Sequence, residues 1–253
     1  MCGARGSAFK HPGASFRSRL MTVDIYFDVR SDIRPGSDPD KHSQQLRRFH
    51  KNLWSKALPN GTQFDLRDDI PNKYLSHSSP TGDFSLSSDS IVHSLFHVKR
   101  AAPIISQIGG ERMDHILSLF NTLPGFILFP GNRIGGRMTL NGARGFNARI
   151  ADRFDLTLEC IRRHYATEQS PLSDVIARYG DFFALFESFD GYLDFFLLQD
   201  LWDFKQDRLN TFLPFDGSFP LQPLPKSVEE YEAFVERQST FLNARAARMV
   251  ASS

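Results

Sequence analysis

Seven arginines fall between Pro130 and Tyr165: Arg133, Arg137, Arg144, Arg149, Arg153, Arg162 and Arg163. They share that stretch with three acids, Asp152, Asp155 and Glu159, and with no lysine. A guanidinium presents a planar fork that matches a phosphate or a carboxylate. Glycine and asparagine loops let backbone N–H groups approach an anion closely. Arg133, Arg137, Asn141 and Arg144 lie within twelve residues, framed by Gly131, Gly135, Gly136, Gly142 and Gly145. The pattern predicts a site for a nucleotide or a nucleic-acid backbone, with Arg153 and Arg162 as further ligand-binding residues. Neither the phosphate-loop pattern GxxxxGK[ST] nor the dinucleotide pattern GxGxxG is present there.

The carboxylates beside these arginines are the candidates for catalysis. On a helix expected over 150–165, Asp152, Asp155, Glu159 and Arg162 recur at i, i+3, i+7 and i+10 and share one stripe. Asp152, Asp155 and Glu159 are therefore the groups placed for general-base work. Asp155 and Glu159 form a like-charged i,i+4 pair that either a divalent metal or Arg162 and Arg163 would relieve. Arginine is the simpler account, so no metal ligand is assigned. Asp89, His93 and His97 fall at i, i+4 and i+8 and would align three ligand-type side chains if that segment were helical. A solvated face explains the two histidines equally well. No GxSxG elbow occurs, and Cys160 reads as a packed thiol in an amphipathic helix. No cofactor is assigned.

A structural role competes for the same arginines. Residues 181–204 contain Asp181, Glu187, Asp190, Asp194, Asp200 and Asp203 and no lysine or arginine. An unpaired buried carboxylate is destabilising by several kcal/mol. Asp194 and Asp200 are thus expected to pair with arginines of the 133–163 segment.

The elements that must position these residues follow from periodicity and punctuation. Strands are expected at Thr22–Val29, Thr62–Leu66, Lys73–His77, Asp83–Leu86 and Gly125–Phe129, and a loop at SDIRPGSDPD. Helices are expected from Asp38 or Asp40 to about Leu58, after a cap at Ser88 or Asp89, over Glu111–Leu123, and over Ile150–Tyr165. One or two aromatic helices should fill Asp174–Phe204, broken near Asp190-Gly191. FLPFDGSFPLQPLP should cross irregularly. Ser227 and Glu230 form a capping-box pattern for a last helix. The fold class is α+β, a mostly helical single domain over 21–253 with a small sheet.

Composition sets outer bounds. The 24 phenylalanines imply a core built on aromatic packing. The net charge of +1 excludes a global basic footprint. Residues 1–20 hold four Lys/Arg and no acid, which leaves a net charge of −3 for the rest. That tail resembles a transit peptide in composition but lacks an apolar helical face, and Met21 reads as the start. Residues 1–20 are expected to be dispensable for folding. The two cysteines, Cys2 and Cys160, make no disulfide framework and fit a reducing cytoplasm. No apolar run approaches the roughly 18 residues a membrane helix needs.

From Phe129 onward, FPGNRIGGRMTLNGARGFNARIADRFDLTLECIRRHY, GYLDFFLLQDL, and FLPFD followed by PLPKSVEEYEAF resemble an uncharacterised family of bacterial and phage-associated proteins known only as a domain of unknown function. The resemblance covers roughly residues 21–250 and implies a bacterial cytoplasmic or phage context, with no mechanism attached. The functional expectation is an enzyme or sensor handling a phosphate-bearing ligand, a nucleotide or nucleic acid, in phage–host conflict. The alternative is a non-enzymatic interaction protein whose Arg-rich segment is a structural ion network.

Overall fold

The computed structural model describes residues 24–70 and 73–252. The expectations for residues 1–20 and for a start at Met21 therefore lie outside the described residues. The chain is a mostly helical single domain with small antiparallel sheets.

The expected first strand is not formed over its described part. The Asp24 and Asp28 carboxylates accept from the N–H groups of Tyr26 and Arg30, each at 2.9 Å. Such local bonds compete with a ladder. The segment turns, makes one bridge from Asp28 to Thr122, and enters a 3₁₀ turn over Val29–Asp32. The helix expected next is split into α1 (Pro39–His42) and α2 (Gln44–Trp54). Ser43 ends the first with its N–H on Pro39 O and caps the second with its hydroxyl on Leu46 N–H. Leu46, Phe49, Leu53 and Trp54 are buried, as their spacing predicts.

Strands β1 (Lys56–Ala57) and β2 (Gln63–Phe64) form a minimal hairpin. The main sheet runs β3 (Leu75–Ser79), β4 (Gly82–Ser90), β5 (Phe126–Pro130), antiparallel throughout. Its buried face carries Leu75 opposite Leu86 and His77 opposite Phe84. All five residues of β5 are buried. Ser88 and Asp89, either of which was expected to cap a helix, lie in β4 instead, paired with Leu128 and Ile127. Residues 91–100 form no helix, so Asp89, His93 and His97 do not stack on one face.

Helices α3 (Ala102–Ile105) and α4 (Gly110–Phe120) precede β5. The Arg-rich loop turns through Gly135 and Gly136, both at positive φ, and contains the unforeseen helix α5 (Leu140–Phe146). Helix α6 (Phe154–Tyr165) begins four residues later than expected because Ala151 and Asp152 adopt left-handed backbone. The aromatic stretch divides into α7 (Ser173–Arg178), α8 (Gly180–Ala184) and α9 (Phe189–Phe196). The break falls at Ser188, which caps α9 on Gly191 N–H at 3.0 Å. A side chain at position 191 would bring its Cβ to 2.1 Å from Phe186 O, so only glycine fits against that preceding turn. Strands β6 (Trp202–Asp203) and β7 (Arg208–Leu209) make a second hairpin. Residues 212–225 then cross without regular structure to α10 (Val228–Ala251). Ser227 caps α10 on Glu230 N–H, and Glu230 reaches back to Lys226 N–H at 2.8 Å.

Phe182, Phe183, Phe186, Tyr192, Phe195 and Phe196 pack as one aromatic cluster against Trp54 and Phe64, mostly edge-on or tilted. The phenylalanine count thus translates into the expected aromatic centre.

Candidate functional site

The Arg-rich segment spends most of its charge inside the fold. Arg144, on α5, is 1% exposed and its guanidinium is fully engaged. It pairs with Asp89 of β4, donates to Thr157 Oγ1 at 3.2 Å, and reaches the carbonyls of Ser90 and Asp152. The Asp152 carboxylate lies 3.7 Å away and also faces His93 Nε2 at 3.3 Å. His93 Nδ1 accepts from Leu95 N–H, which leaves the Nε2 proton for Asp152. Burial raises the Asp89 carboxyl although Arg144 opposes it. For Asp152, burial is outweighed by His93 and Arg144, which hold it below its ordinary value.

Asp155 is 0% exposed and pairs with Arg153, and it accepts Phe212 N–H at 2.7 Å. Arg153 also donates to the Pro223 carbonyl at 3.1 Å, fastening the irregular crossing to α6. Glu159 takes Arg162 on both oxygens and Arg163 on one, at 2.8–2.9 Å. Asn141 anchors the loop to β4 through Ser87 Oγ and Ser88 O. Arg133 and Arg137 are exposed and form no ion pair among the described residues.

An internal ion network therefore exists, with different acids from those expected. Asp194 is exposed and bonds Gln199, while Asp200 pairs with Arg248 of α10 at 2.5 Å. The arginines take acids from their own segment and from β4, since short sequence separation and the sheet already bring those carboxylates alongside. Among the described residues no group of three or more His, Cys, Asp or Glu side chains is arranged to hold a metal ion. Cys160 is buried, and burial pushes its thiol up to about 12.

Beside this network lies a buried carboxyl with an unusual titration. Asp40 of α1 accepts from both the N–H and the hydroxyl of Ser88. Burial nevertheless pushes it from 3.8 up to about 7, with Asp38 and Asp89 adding in the same direction. A folded value above the unfolded one means a contribution complete below about pH 4 and lost as pH rises towards 7. The loss is on the order of 4 kcal/mol. Asp40→Asn should therefore flatten the decline in stability between pH 4 and 7 and melt higher than the parent at pH 8. Parallel pH profiles for the two proteins would contradict this.

Of the residues singled out in the sequence, Glu159 and Arg162 reach a large open cleft. It measures about 820 Å³ and lies between the C-terminal half of α6, the β6–β7 hairpin, the 211–217 crossing and α10. Its cations are Arg162, Arg208 and Arg237. Arg208 and Arg237 are exposed and have no carboxylate partner among the described residues. Trp202 and Phe215 supply ring surfaces, and Asn210 and Thr211 supply uncharged polar groups. A neighbouring cleft of about 460 Å³ shares Arg162, Trp202 and Asp207 and adds Glu187, Asp190 and Phe204. The two clefts meet at Arg162, Trp202 and Asp207; the larger holds Arg208 and Arg237 together with Glu159, and the smaller holds Glu187 and Asp190.

Sequence reading missed Arg208, Arg237, Trp202 and Phe215. Arg208 sits next to Asp207 and Arg237 next to Glu236, so each looks locally neutralised. The available signal was Trp202 and Phe204 in a polar hairpin, with Phe204 left 61% exposed.

No helix among the described residues is long and apolar enough to cross a membrane. No curated protein and no solved structure matches the chain. The family model described as "Family of unknown function (DUF6994)" matches residues 23–249, and the chain belongs to that family.

Proposed function

We propose that the protein binds a phosphate-bearing ligand, a nucleotide, in the cleft between α6, the β6–β7 hairpin and α10, acting as an enzyme or sensor. The observation that carries this reading is the pair of unneutralised guanidiniums, Arg208 and Arg237, beside Trp202 and Phe215 in one groove. Guanidiniums suit the phosphates and an indole face suits a base. The acids of the smaller cleft, Glu187 and Asp190, would accept amino groups of a base and would repel a continuing phosphate chain. Glu159 and Arg162 form the cleft wall. With both oxygens held by arginines, Glu159 is a supporting group and a poor proton acceptor. The setting we propose with it is a bacterial cytoplasm and phage–host conflict.

A panel of nucleotides at low salt tests the reading by thermal shift. At about 100-fold excess over Kd, ligation stabilises by about 2.7 kcal/mol, or roughly 5–11 °C for a chain of this size. Arg208→Ala should remove the shift while the unliganded variant melts like the parent; Arg237→Ala should remove it as well, with a small loss of stability from its bond to the Phe212 carbonyl at 2.9 Å. A panel that gives no shift would favour the second reading, a non-enzymatic interaction protein. What supports that reading is the consumption of Arg144, Arg153, Arg162 and Arg163 in ion pairs.

A further inference from the structure

A second cavity adjoins the nucleotide cleft against α10. It measures about 350 Å³ and shares Asn210, Thr211 and Arg237 with that cleft. Its α10 wall is a single helical stripe, in which Glu236, Thr240 and Ala244 fall at i, i+4 and i+8 with Arg237 and Phe241 beside them. Leu201 and Phe212 join Phe241 as its apolar lining, and all three are buried. The rings of Phe212 and Phe241 lie 6.1 Å apart.

The frame around this cavity is fixed. The Phe212 N–H donates to Asp155 at 2.7 Å, and the Phe212 carbonyl accepts from Arg237 at 2.9 Å. The Asn210 N–H donates to the Leu201 carbonyl at 3.0 Å, and Asp200 is paired with Arg248. A cavity held in this way loses little freedom when it is filled.

Its lining selects the chemistry it can hold. The one cation, Arg237, is the residue it shares with the nucleotide cleft. Asp200 and Glu236 would repel a second phosphate group. Glu236 makes no salt bridge among the described residues; Arg112 feels its charge but is paired with Glu232. A plain alkyl chain would desolvate that carboxylate without giving it a donor, which is unfavourable. A nucleobase satisfies both conditions. Its faces are apolar, and its edge offers N–H donors to Glu236 and further hydrogen bonds to Asn210, Thr211 and Thr240.

We infer that the ligand is a dinucleotide, an inference that rests on the nucleotide reading of the adjoining cleft. One base lies against Trp202 and Phe215, the linking phosphates meet Arg208 and Arg237, and the second base fills the cavity against α10. Arg237 borders both cavities, which puts a phosphate-binding group between the two base positions.

The test is isothermal titration calorimetry on the full chain at low salt. ADP and GDP are compared with diadenosine tetraphosphate, diguanosine tetraphosphate, pApA and pGpG. The best dinucleotide should bind about tenfold or more tightly than its matching mononucleotide, because the second base is tethered to the first. Ala244→Phe fills the cavity and lies outside the nucleotide cleft, so it should abolish that advantage and leave mononucleotide affinity as in the parent. If Ala244→Phe melts well below the parent, Glu236→Ala makes the same test at an exposed position, with a loss of about tenfold for the dinucleotide alone. Equal affinity for mononucleotides and dinucleotides would overturn the two-base ligand and leave the nucleotide cleft standing. A dinucleotide advantage that survives in a folded Ala244→Phe protein would overturn the assignment of this cavity. If no compound binds, the nucleotide reading fails and takes this inference with it.

Discussion

Replacing Arg245 with methionine should lower the melting temperature by roughly 6–20 °C. Arg245, on α10, is 0% exposed and has no carboxylate partner among the described residues. Its guanidinium donates to three backbone carbonyls: Pro124, Phe126 at 2.9 Å, and Phe196 at 3.0–3.1 Å through two nitrogens. Phe196 closes α9, where the helix leaves carbonyls without intrahelical donors and carries the negative end of its dipole. The residue therefore ties the end of one helix, the start of β5 and α10 together, over the ring of Trp54. Each orphaned buried carbonyl is destabilising by about 1–3 kcal/mol. Relief of the buried charge offsets part of that sum, leaving about 3–5 kcal/mol. Arg245→Lys should recover little, because an ammonium cannot reach three carbonyls in the fork geometry. A shift under about 3 °C for the methionine variant would mean that water satisfies these carbonyls.

Arg144→Met should destabilise by about 3 kcal/mol at pH 7, since it removes the buried member of an ion pair and strands a half-buried carboxylate. Asp89 would lose its counter-charge while remaining paired in β4. Because burial already raises the Asp89 carboxyl, the variant would protonate it more readily. The damage should therefore shrink as pH falls to 4, where the neutral acid suffices. The double variant Arg144→Met/Asp89→Asn should regain more than about 1 kcal/mol over the single one at pH 7. Chemical denaturation at the two pH values measures both effects. A loss independent of pH would show that packing, and not the stranded carboxylate, dominates.

These two expectations mark where local reading of the sequence works and where it stops. Helices α6 and α10 were legible because an apolar stripe and a Ser227 cap are properties of contiguous residues. Strand β4 was only half legible. Its polar end, Ser87-Ser88-Asp89-Ser90, has the look of a helix cap and becomes a strand because β5 offers a fully buried ladder to pair with. That one reassignment decides the chemistry. With Asp89 on β4, buried Arg144 acquires a carboxylate partner and ceases to be available to a ligand. Asp152 was read as the first residue of a catalytic stripe, but its left-handed backbone places it before α6, facing His93. Arg208 and Arg237 were illegible for the opposite reason. Each has an acid as its chain neighbour, and only the tertiary fold shows that those acids do not pair with them.

The position of Arg245 along the chain also bears on how the protein is made. Its carbonyl partners at Pro124 and Phe126 precede it by 121 and 119 residues. At a synthesis rate of about 5–20 residues per second, roughly 6–24 s separate the emergence of β5 from that of its clamp. The rings of Phe182, Phe186, Phe195 and Phe196 emerge within that interval, and for roughly 2–13 s they lack the completed α10 helix that ties their end of the core to β5. Nascent chains should therefore depend on ribosome-associated holdases, and a premature stop before codon 245 should yield an aggregating product even though α1 through α9 are intact in sequence.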